Sequence, residues 1–169
     1  LLSGHRDLGN EAHRKEVASL WGVDAVPARP GKTAVEMFEA IGRGEIKAVW
    51  IACTNPAQSM PDANAVRKAL EGAEFVVVQE AFRDAETCDY ADVLLPAARW
   101  GEKEGTVTKS ERSISRVRVA VAPPGEARAD WKIAVDFARR LSPAGESLFP
   151  YQTPEQIFNE HRETTRGRD

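Results

Sequence analysis

The sequence predicts an α/β fold with a mostly parallel central sheet and helices on both faces. Three short, fully apolar runs carry this prediction, at residues 48–53, 75–78 and 93–95. Runs this short and rich in Val and Ile are typical of strands that are buried on both faces, as in a parallel sheet. A helical pattern separates the first run from the second, which predicts a β-α-β unit with a right-handed crossover.

Two helices are predicted before the first strand. The spacing of apolar residues indicates a helix over Glu11–Trp21. Thr33 and Glu36 match a capping box, in which each side chain bonds the other residue's backbone N–H, and they begin a helix that ends near Gly42. This second helix leads the chain into the first strand.

Two further helices are predicted between the strands. Pro61 and Asp62 suit the first turn of the helix that follows the first strand, and Gly72 is placed to end it in a left-handed conformation. A shorter helix, beginning at Asp84 and running to about Tyr90, is predicted to lead into the third strand.

The chain after the third strand shows two more patterns. Residues 107–121 alternate apolar and basic side chains, which is typical of one or two irregular strands with a basic exposed face. Asp130 is placed as the N-cap of an amphipathic helix, and Thr153 with Gln156 matches a capping box that begins a last short helix.

Length and composition limit the class of protein. A chain of 169 residues with 42% hydrophobic and 29% charged residues predicts one globular domain over residues 1–169. A net charge of -3 argues against a nucleic-acid partner, and no apolar run approaches the ~20 residues that span a membrane. Two cysteines, Cys53 and Cys88, fit a reducing, cytoplasmic compartment and exclude a cysteine-rich metal or iron–sulfur framework in this chain.

Polar residues at the strand ends are the candidate ligand contacts. Ligands of open α/β sheets bind outside the carboxyl ends of the strands, so Asn55, Gln79, Glu80 and Lys103 are predicted to gather at one edge. Asn55 is either a turn residue before Pro56 or an amide that faces a phosphate or ribose. Glu80 is either a solvated charge or an acceptor for ribose hydroxyls. Lys103 belongs either to a surface ion-pair cluster or to a contact with a phosphate or purine oxygen.

Other candidate groups have simple alternatives. Asp130 is either a helix cap or a carboxylate that accepts two parallel hydrogen bonds from the N1–H and N2–H of guanine. Cys53 ends a predicted buried strand, so we interpret it as a small buried hydrophobic residue rather than a thiol ligand. The three histidines, His5, His13 and His161, lack metal-ligand spacing, and neither a metal site nor a catalytic triad is predicted.

Six motifs, in order along the chain, carry a family resemblance. They are residues 50–56 (Trp-Ile-Ala-Cys-Thr-Asn-Pro), 78–82 (Val-Gln-Glu-Ala-Phe), 91–96 (Ala-Asp-Val-Leu-Leu-Pro), 100–106 (Trp-Gly-Glu-Lys-Glu-Gly-Thr), 110–112 (Ser-Glu-Arg) and 124–131 (Pro-Gly-Glu-Ala-Arg-Ala-Asp-Trp). Together they resemble the third domain of the molybdopterin oxidoreductases, the dimethyl sulfoxide reductase family, and most of all its bacterial assimilatory nitrate reductases. The resemblance implies a three-layer, Rossmann-like α/β domain that is a fragment of a larger enzyme.

The same resemblance implies a cofactor and a reaction. The domain would bind one guanine dinucleotide arm of bis-molybdopterin guanine dinucleotide, a molybdenum cofactor, through Asn55, Gln79, Glu80, Lys103 and Asp130. The intact enzyme would reduce nitrate to nitrite. Its 4Fe-4S cluster, its molybdenum ligand and its last domain would lie outside this chain, so the fragment alone is expected to be inactive. Expected partners are the other domains of the same polypeptide and an electron-donor protein or subunit.

Three alternatives remain open. Formate dehydrogenases and periplasmic nitrate reductases share much of the motif pattern. The same domain type also serves as a pterin-free scaffold in the large iron–sulfur subunit of respiratory complex I. A stand-alone nucleotide-binding domain would instead show measurable affinity for guanine nucleotides. Where the family usually has Asn and a second Arg, this chain has Lys109 and Ser113, which would alter the packing of that loop or a partner contact.

Overall fold

A computed structural model describes residues 2–167, which form two compact units. The first, called the sheet unit, comprises residues 32–102 and 121–130. The second, called the hairpin unit, comprises the described parts of residues 1–31, 103–120 and 131–169. Each unit is built from segments that are distant in the chain, so its packing depends on long-range contacts.

Within residues 2–167, two α-helices precede the first strand, helical segments separate the three parallel strands, and three α-helices follow the last strand. The helices are α1 Glu11–Trp21, α2 Ala34–Gly42, α3 Pro56–Ser59, α4 Ala63–Gly72, α5 Asp130–Leu141, α6 Gly145–Leu148 and α7 Pro154–Thr164. The strands are β1 Ala48–Ala52, β2 Phe75–Glu80, β3 Val93–Pro96, β4 Gly105–Thr108 and β5 Ile114–Val117. Short 3-10 helices cover Ser3–His5, Glu86–Tyr90 and Trp100–Glu102.

The sheet unit is organised around a parallel sheet with strand order β1-β2-β3. Val49 lies opposite Val76 and Ile51 opposite Val78, so these four side chains share one face of the sheet. The predicted α/β class and parallel sheet are therefore confirmed.

The core of the sheet unit forms where α2 and α4 cover that apolar face. Its buried side chains come from both helices, from β1 and β2 and from the 3-10 helix after β2: Phe38, Ile41, Val49, Ile51, Val66, Ala69, Leu70, Val76, Val78 and Cys88. A methyl group at Gly42 would lie 3.7 Å from the Ala69 side chain, so the two helices approach closely there. The buried cluster thus packs α2 and α4 against β1 and β2.

The predicted helix starts are mostly confirmed. Helix α1 spans the predicted residues and is capped by Asn10. Helices α2 and α7 begin with the capping boxes of Thr33 with Glu36 and of Thr153 with Gln156. Helix α7 is 11 residues long, however, so it is not the short helix that was expected.

The chain between β1 and β3 differs from the prediction. Asp62 is the N-cap of α4, with its carboxylate accepting a bond from the Ala65 N–H at 3.0 Å, and the separate short helix α3 begins earlier, at Pro56. The left-handed conformation predicted for Gly72 is wrong: it is the last helical residue, and Ala73 continues in an extended conformation, so no left-handed residue is needed. The helix predicted from Asp84 is a 3-10 helix over Glu86–Tyr90.

The hairpin unit contains the antiparallel pair β4 and β5, so the alternating stretch forms two strands. Its most buried polar side chain is Arg6, which is 1% exposed. The guanidinium donates to Glu16 Oε2 at 2.8 Å and to the backbone carbonyls of Ser3 and Thr164 at 2.9 and 2.5 Å. Arg6 therefore joins the first turn, α1 and the end of α7. None of the helices within residues 2–167 has the length and apolar character needed to cross a bilayer.

Candidate functional site

The carboxyl edge of the parallel sheet is assembled by a segment that returns from later in the chain. The Arg128 N–H donates to the Pro96 carbonyl at 3.0 Å, and the Ala98 N–H donates to the Arg128 carbonyl at 2.8 Å. The segment thus runs parallel to the end of β3. Two residues later, Asp130 reaches the ends of β1 and β2.

Two neutral donors hold the Asp130 carboxylate. Gln79 Nε2 donates to Asp130 Oδ1 at 2.8 Å, and Cys53 Sγ lies 3.3 Å from the same oxygen. Gln79 is only 4% exposed, whereas Asp130 is half-buried. The buried amide therefore supports a carboxylate that reaches the surface of the sheet unit.

The prediction that Cys53 is a buried hydrophobic residue is wrong. Strand β1 ends at Ala52, and Cys53 adopts a left-handed conformation with φ 57° and an exposed side chain. Its backbone N–H still donates to the Gln79 carbonyl at 2.9 Å, which extends the ladder to the turn. The predicted strand was one residue too long, because Cys53 is apolar but is the residue at which the chain turns.

Glu80 ends β2 and carries the second carboxylate of this edge. Its Oε1 accepts bonds from the N–H groups of Ala81 and Phe82 at 2.7 and 3.2 Å. Within residues 2–167, nothing donates to Oε2. Burial raises the pKa of the Cys88 thiol, and the negative charge of Glu80 raises this pKa further. Glu80 is thus anchored through one oxygen.

Asn55 is turned towards the protein. Its Oδ1 accepts bonds from the N–H and hydroxyl of Thr87 at 3.1 and 2.6 Å, and its Nδ2 donates to Gln58 Oε1 at 3.1 Å. Thr87 is fully buried and accepts a bond from the Ala57 N–H at 3.2 Å. These contacts favour the structural alternative for Asn55, in which it fixes the turn after β1.

Lys103 lies in the hairpin unit, half-buried, two residues before β4. The other four predicted residues, Asn55, Gln79, Glu80 and Asp130, all belong to the sheet unit. The first three lie at or just beyond the ends of β1 and β2, and Asp130, the first residue of α5, bonds Gln79 there. The structure thus brings four predicted residues to the carboxyl edge. The position of Lys103 at that edge stays a prediction.

An open cleft of about 750 Å³ lies beyond the ends of β2 and β3. Phe82 lines it with 53% of its surface exposed, and the Arg99 guanidinium lies 5.4 Å from the centre of its ring. Arg99 is paired with Glu102 at 3.3 Å, and Arg83 with Asp89 at 3.5 Å. Sequence analysis missed Phe82 and Arg99. Their positions two to three residues beyond a strand end are the signal that could have found them.

The carboxyl edge presents hydrogen-bond acceptors, and the lining of the cleft begins at Ala81, the residue after Glu80. Carboxylates such as Asp130 and Glu80 accept bonds from the ring and amino N–H groups of guanine and from ribose hydroxyls. The residues therefore fit the guanosine end of a dinucleotide. Within residues 2–167, no three or more His, Cys, Asp or Glu side chains come together in a group that could hold a metal ion.

Comparisons with known proteins give a consistent relationship. The family model described as molybdopterin oxidoreductase matches residues 4–140. The chain is 44% identical to the assimilatory nitrate reductase catalytic subunit of Bacillus subtilis (strain 168), over 98% of this chain and 23% of that protein. It is also 44% identical to the F420-dependent formate dehydrogenase subunit alpha of Methanocaldococcus jannaschii, over 86% of this chain and 21% of that protein.

The fold is also found in a solved structure. Acetylene hydratase from Pelobacter acetylenicus superposes with a TM-score of 0.66 at 21% identity, covering 78% of this chain and 18% of that one. At this level of identity the likeness concerns the fold alone. The chain spans about a fifth of the length of the curated relatives it matches.

Proposed function

Because the chain belongs to the molybdopterin oxidoreductase family, we propose that it holds one guanine dinucleotide arm of a bis-molybdopterin guanine dinucleotide cofactor. The family implies a molybdenum–pterin cofactor. One observation supports the guanine dinucleotide form: Gln79 holds the Asp130 carboxylate at the carboxyl edge with a 2.8 Å bond. A negative acceptor at that edge suits the N–H donors of guanine.

Two carboxylates divide the recognition of guanosine. Asp130 accepts parallel bonds from the N1–H and N2–H of the base, and Glu80 accepts a bond from a ribose hydroxyl through Oε2. Anchoring of Glu80 Oε1 by two backbone N–H groups keeps this second oxygen in place. Hydrogen bonds to charged groups contribute about 1.5–3 kcal/mol each. The bonds of Asp130 to the base select guanine, and the bond of Glu80 to ribose adds affinity for any ribonucleoside.

The other three predicted residues have different tasks. Asn55 fixes the turn after β1 through Thr87. Gln79 acts on the ligand through Asp130. Lys103, a flexible cation, binds a phosphate or the purine oxygen.

We further propose that the full-length protein is a cytoplasmic, molybdenum-dependent nitrate reductase of nitrate assimilation. When bound, the cofactor supplies the redox chemistry that reduces nitrate to nitrite, with electrons from a 4Fe-4S cluster in another domain and from an electron-donor protein or subunit. The residues of this chain contribute binding and orientation. The 44% identity to the Bacillus subtilis assimilatory enzyme supports nitrate, and the formate dehydrogenase relative makes formate the second candidate substrate.

The substrate is tested with the full-length protein. Purified protein is assayed with reduced dye for nitrate reduction and with oxidised dye for formate oxidation. We expect nitrite formation and no formate oxidation, and we expect no activity from the 169-residue chain alone. Formate oxidation without nitrite formation would replace nitrate by formate, and nitrate reduction by the isolated chain would contradict the assignment of the chemistry to other domains.

The cofactor is tested through its guanine. We expect the full-length protein to contain molybdenum and to release GMP on acid hydrolysis, and we expect Asp130→Asn to lower both contents severalfold. Asp24→Asn removes the same charge from an exposed loop and should lower neither. Absence of molybdenum and pterin from the wild-type protein would favour the scaffold alternative instead.

A further inference from the structure

A small pocket in the hairpin unit combines aromatic side chains with one carboxylate. Its volume is about 300 Å³, and its lining consists of Trp21, Val23, Leu148, Phe149, Tyr151 and Glu160. We propose that this pocket, called the aromatic pocket, binds an organic cation, namely a guanidinium or alkylammonium group. The inference does not depend on the cofactor proposed for the sheet unit.

One wall of the aromatic pocket is formed where α1 ends. Gly22 follows Trp21 with φ 64°, and the Val23 N–H donates to the Ala18 carbonyl at 3.0 Å. This left-handed turn ends the helix and brings Trp21 and Val23 to the same pocket. Trp21 remains 41% exposed, so a ligand can reach its side chain.

Another wall comes from the segment between α6 and α7. The Arg139 guanidinium donates to the Phe149 carbonyl at 2.8 Å and to the Tyr151 carbonyl at 3.0 Å. The Gln152 N–H then donates to Gln156 Oε1 at 2.6 Å. These bonds fix the backbone that carries both aromatic rings, so the pocket is formed before a ligand binds.

Glu160, on α7, supplies the charge of the pocket. The Tyr151 hydroxyl donates to Glu160 Oε2. Within residues 2–167, nothing else donates to this carboxylate, and it forms no ion pair. Burial, together with the bond and the charge of Glu160, raises the pKa of Tyr151 to about 12, so the phenol stays neutral and keeps the proton of this bond. The carboxylate is therefore held in place with its charge uncompensated.

Arg139 does not supply the missing positive charge. It does not line the pocket, and its Nε lies 3.5 Å from the Glu146 carboxylate, which matches its charge. None of the six lining residues is basic. The lining of the aromatic pocket therefore carries one negative charge.

Aromatic rings and a carboxylate together favour a cation over other ligands. A ring attracts a cation through its negative face, and Trp does so most strongly. A neutral apolar ligand would cover Glu160 without compensating its charge, and an anion would be repelled by it. A volume of about 300 Å³ is at the lower end for ligand pockets, so it suits a group the size of one side chain. A guanidinium is more weakly hydrated than an ammonium ion, so we expect it to bind more tightly.

The test uses N-acetylarginine amide and N-acetylcitrulline amide as probes. The two molecules have nearly the same shape, but only the first carries a positive charge. Ligand-observed NMR titration measures the affinity of both probes for the 169-residue chain and for the full-length protein. We expect the cationic probe to bind about fivefold more tightly than the neutral one, the factor that follows from one exposed cation–π contact.

Three variants assign the preference to the aromatic pocket. Glu160→Gln keeps an acceptor for Tyr151 but removes the charge, and it should reduce the preference to about twofold or less. Glu155→Gln makes the same change in the first turn of the same helix and should keep the fivefold preference. Trp21→Leu keeps the lining apolar but removes the indole, and it should also reduce the preference to about twofold or less. Thermal melting shows that each variant is folded, and Phe149→Leu takes the place of Trp21→Leu if the latter is not.

Two results would overturn the proposal. If the wild-type chain and the full-length protein both bind the two probes equally, the pocket is an apolar surface with no preference for cations. If Glu160→Gln loses the preference and Trp21→Leu keeps it, the cation pairs with the carboxylate alone, and the aromatic site does not exist.

The two forms of the protein identify the source of the cation. A preference in both forms indicates a cation that is free in solution. A preference in the 169-residue chain alone indicates that, in the full-length protein, a basic side chain from outside this chain already occupies the pocket. Both results support the site. If the isolated chain does not melt cooperatively, the full-length protein alone decides, and equal binding of the probes there overturns the proposal.

Discussion

Both compact units contain a buried polar side chain that organises its surroundings, Arg6 in the hairpin unit and Gln79 in the sheet unit. Arg6 is 1% exposed, and Gln79 is 4% exposed. The Arg6 guanidinium donates hydrogen bonds to Glu16 and to two backbone carbonyls. The Gln79 amide donates a hydrogen bond to Asp130, a half-buried carboxylate at the sheet edge.

The difference shows that burial of a polar group does not by itself indicate its role. The bonds of Arg6 join three segments of the chain, so these bonds stabilise the fold. The bond of Gln79 instead holds the Asp130 carboxylate at the sheet edge, where the proposed function places the ligand. The two residues differ in the acceptors of their hydrogen bonds and hardly in the exposed fraction of the donor.

The largest effect on stability is expected at Arg6. Arg6→Met leaves the carbonyls of Ser3 and Thr164 buried without their donor and removes the partner of Glu16, so the free energy of unfolding should fall by about 3 kcal/mol. Urea denaturation of the variant measures this loss.

The control for Arg6 is Arg140→Met. Arg140 is exposed and, within residues 2–167, bonds a carbonyl of its own helix, that of Asp136, so no comparable loss is expected. A loss below about 1 kcal/mol at Arg6 would mean that its buried bonds contribute little net stability, and the contrast between the two units would disappear.

The next effect is expected at Thr87, which lies behind the carboxyl edge. Thr87→Val keeps the shape and removes the hydroxyl that bonds Asn55 and Ala57, so the free energy of unfolding should fall by about 2 kcal/mol. If Asp130 binds guanine as proposed, the preference of the full-length protein for GDP over IDP, which lacks the 2-amino group, should be unchanged, because Asp130 is intact. Thr54→Val, at an exposed site beside Asn55, is the matched control. A changed GDP preference would show that support and recognition are coupled.

A smaller effect compares a glycine from each unit. Gly72 is right-handed at the end of α4 with open space around it, so Gly72→Ala should raise the free energy of unfolding by about 0.5–1 kcal/mol. Gly22, which caps α1, has φ 64°, so Gly22→Ala should lower it by about 1 kcal/mol. Chemical denaturation of both variants decides between the structure and the left-handed conformation that the sequence suggested for Gly72.

The smallest effect on stability is expected from alkylation of Cys53. Its thiol is exposed, whereas Cys88 is 3% exposed and burial raises its thiol pKa, so iodoacetamide should label Cys53 alone in the native chain. Peptide mass spectrometry identifies the site, and the free energy of unfolding should change by no more than about 0.5 kcal/mol. Equal labelling of both cysteines before unfolding would contradict the burial of Cys88.

Much of the fold follows from local sequence. The helical period of Glu11–Trp21 and the short, Val-rich apolar run at residues 75–78 were predicted as elements of the correct type. The strand continues two residues further than that run, to Glu80. The errors lie at element ends. Cys53 and Gly72 both sit where the apolar or helical pattern stops, and the backbone conformation there depends on the next residues rather than on the pattern.

The candidate site was predictable in outline and not in detail. Parallel strands bring their carboxyl ends to one edge, which is why Asn55, Gln79 and Glu80 could be selected from the sequence. Asp130 was selected as a helix cap or guanine acceptor and through the family resemblance. The individual bonds were not predictable. The bond of Gln79 to Asp130 spans 51 positions and that of Thr87 to Asn55 spans 32, and no local pattern records such pairings.

The bond between Arg6 and the Thr164 carbonyl joins groups 158 positions apart in the chain. During synthesis on a ribosome, Arg6 emerges long before its acceptor exists. The guanidinium can bond Ser3 and Glu16 early, but its bond to Thr164 must wait until almost the whole segment has been translated. The parallel strands, whose contacts are closer in sequence, can assemble beforehand.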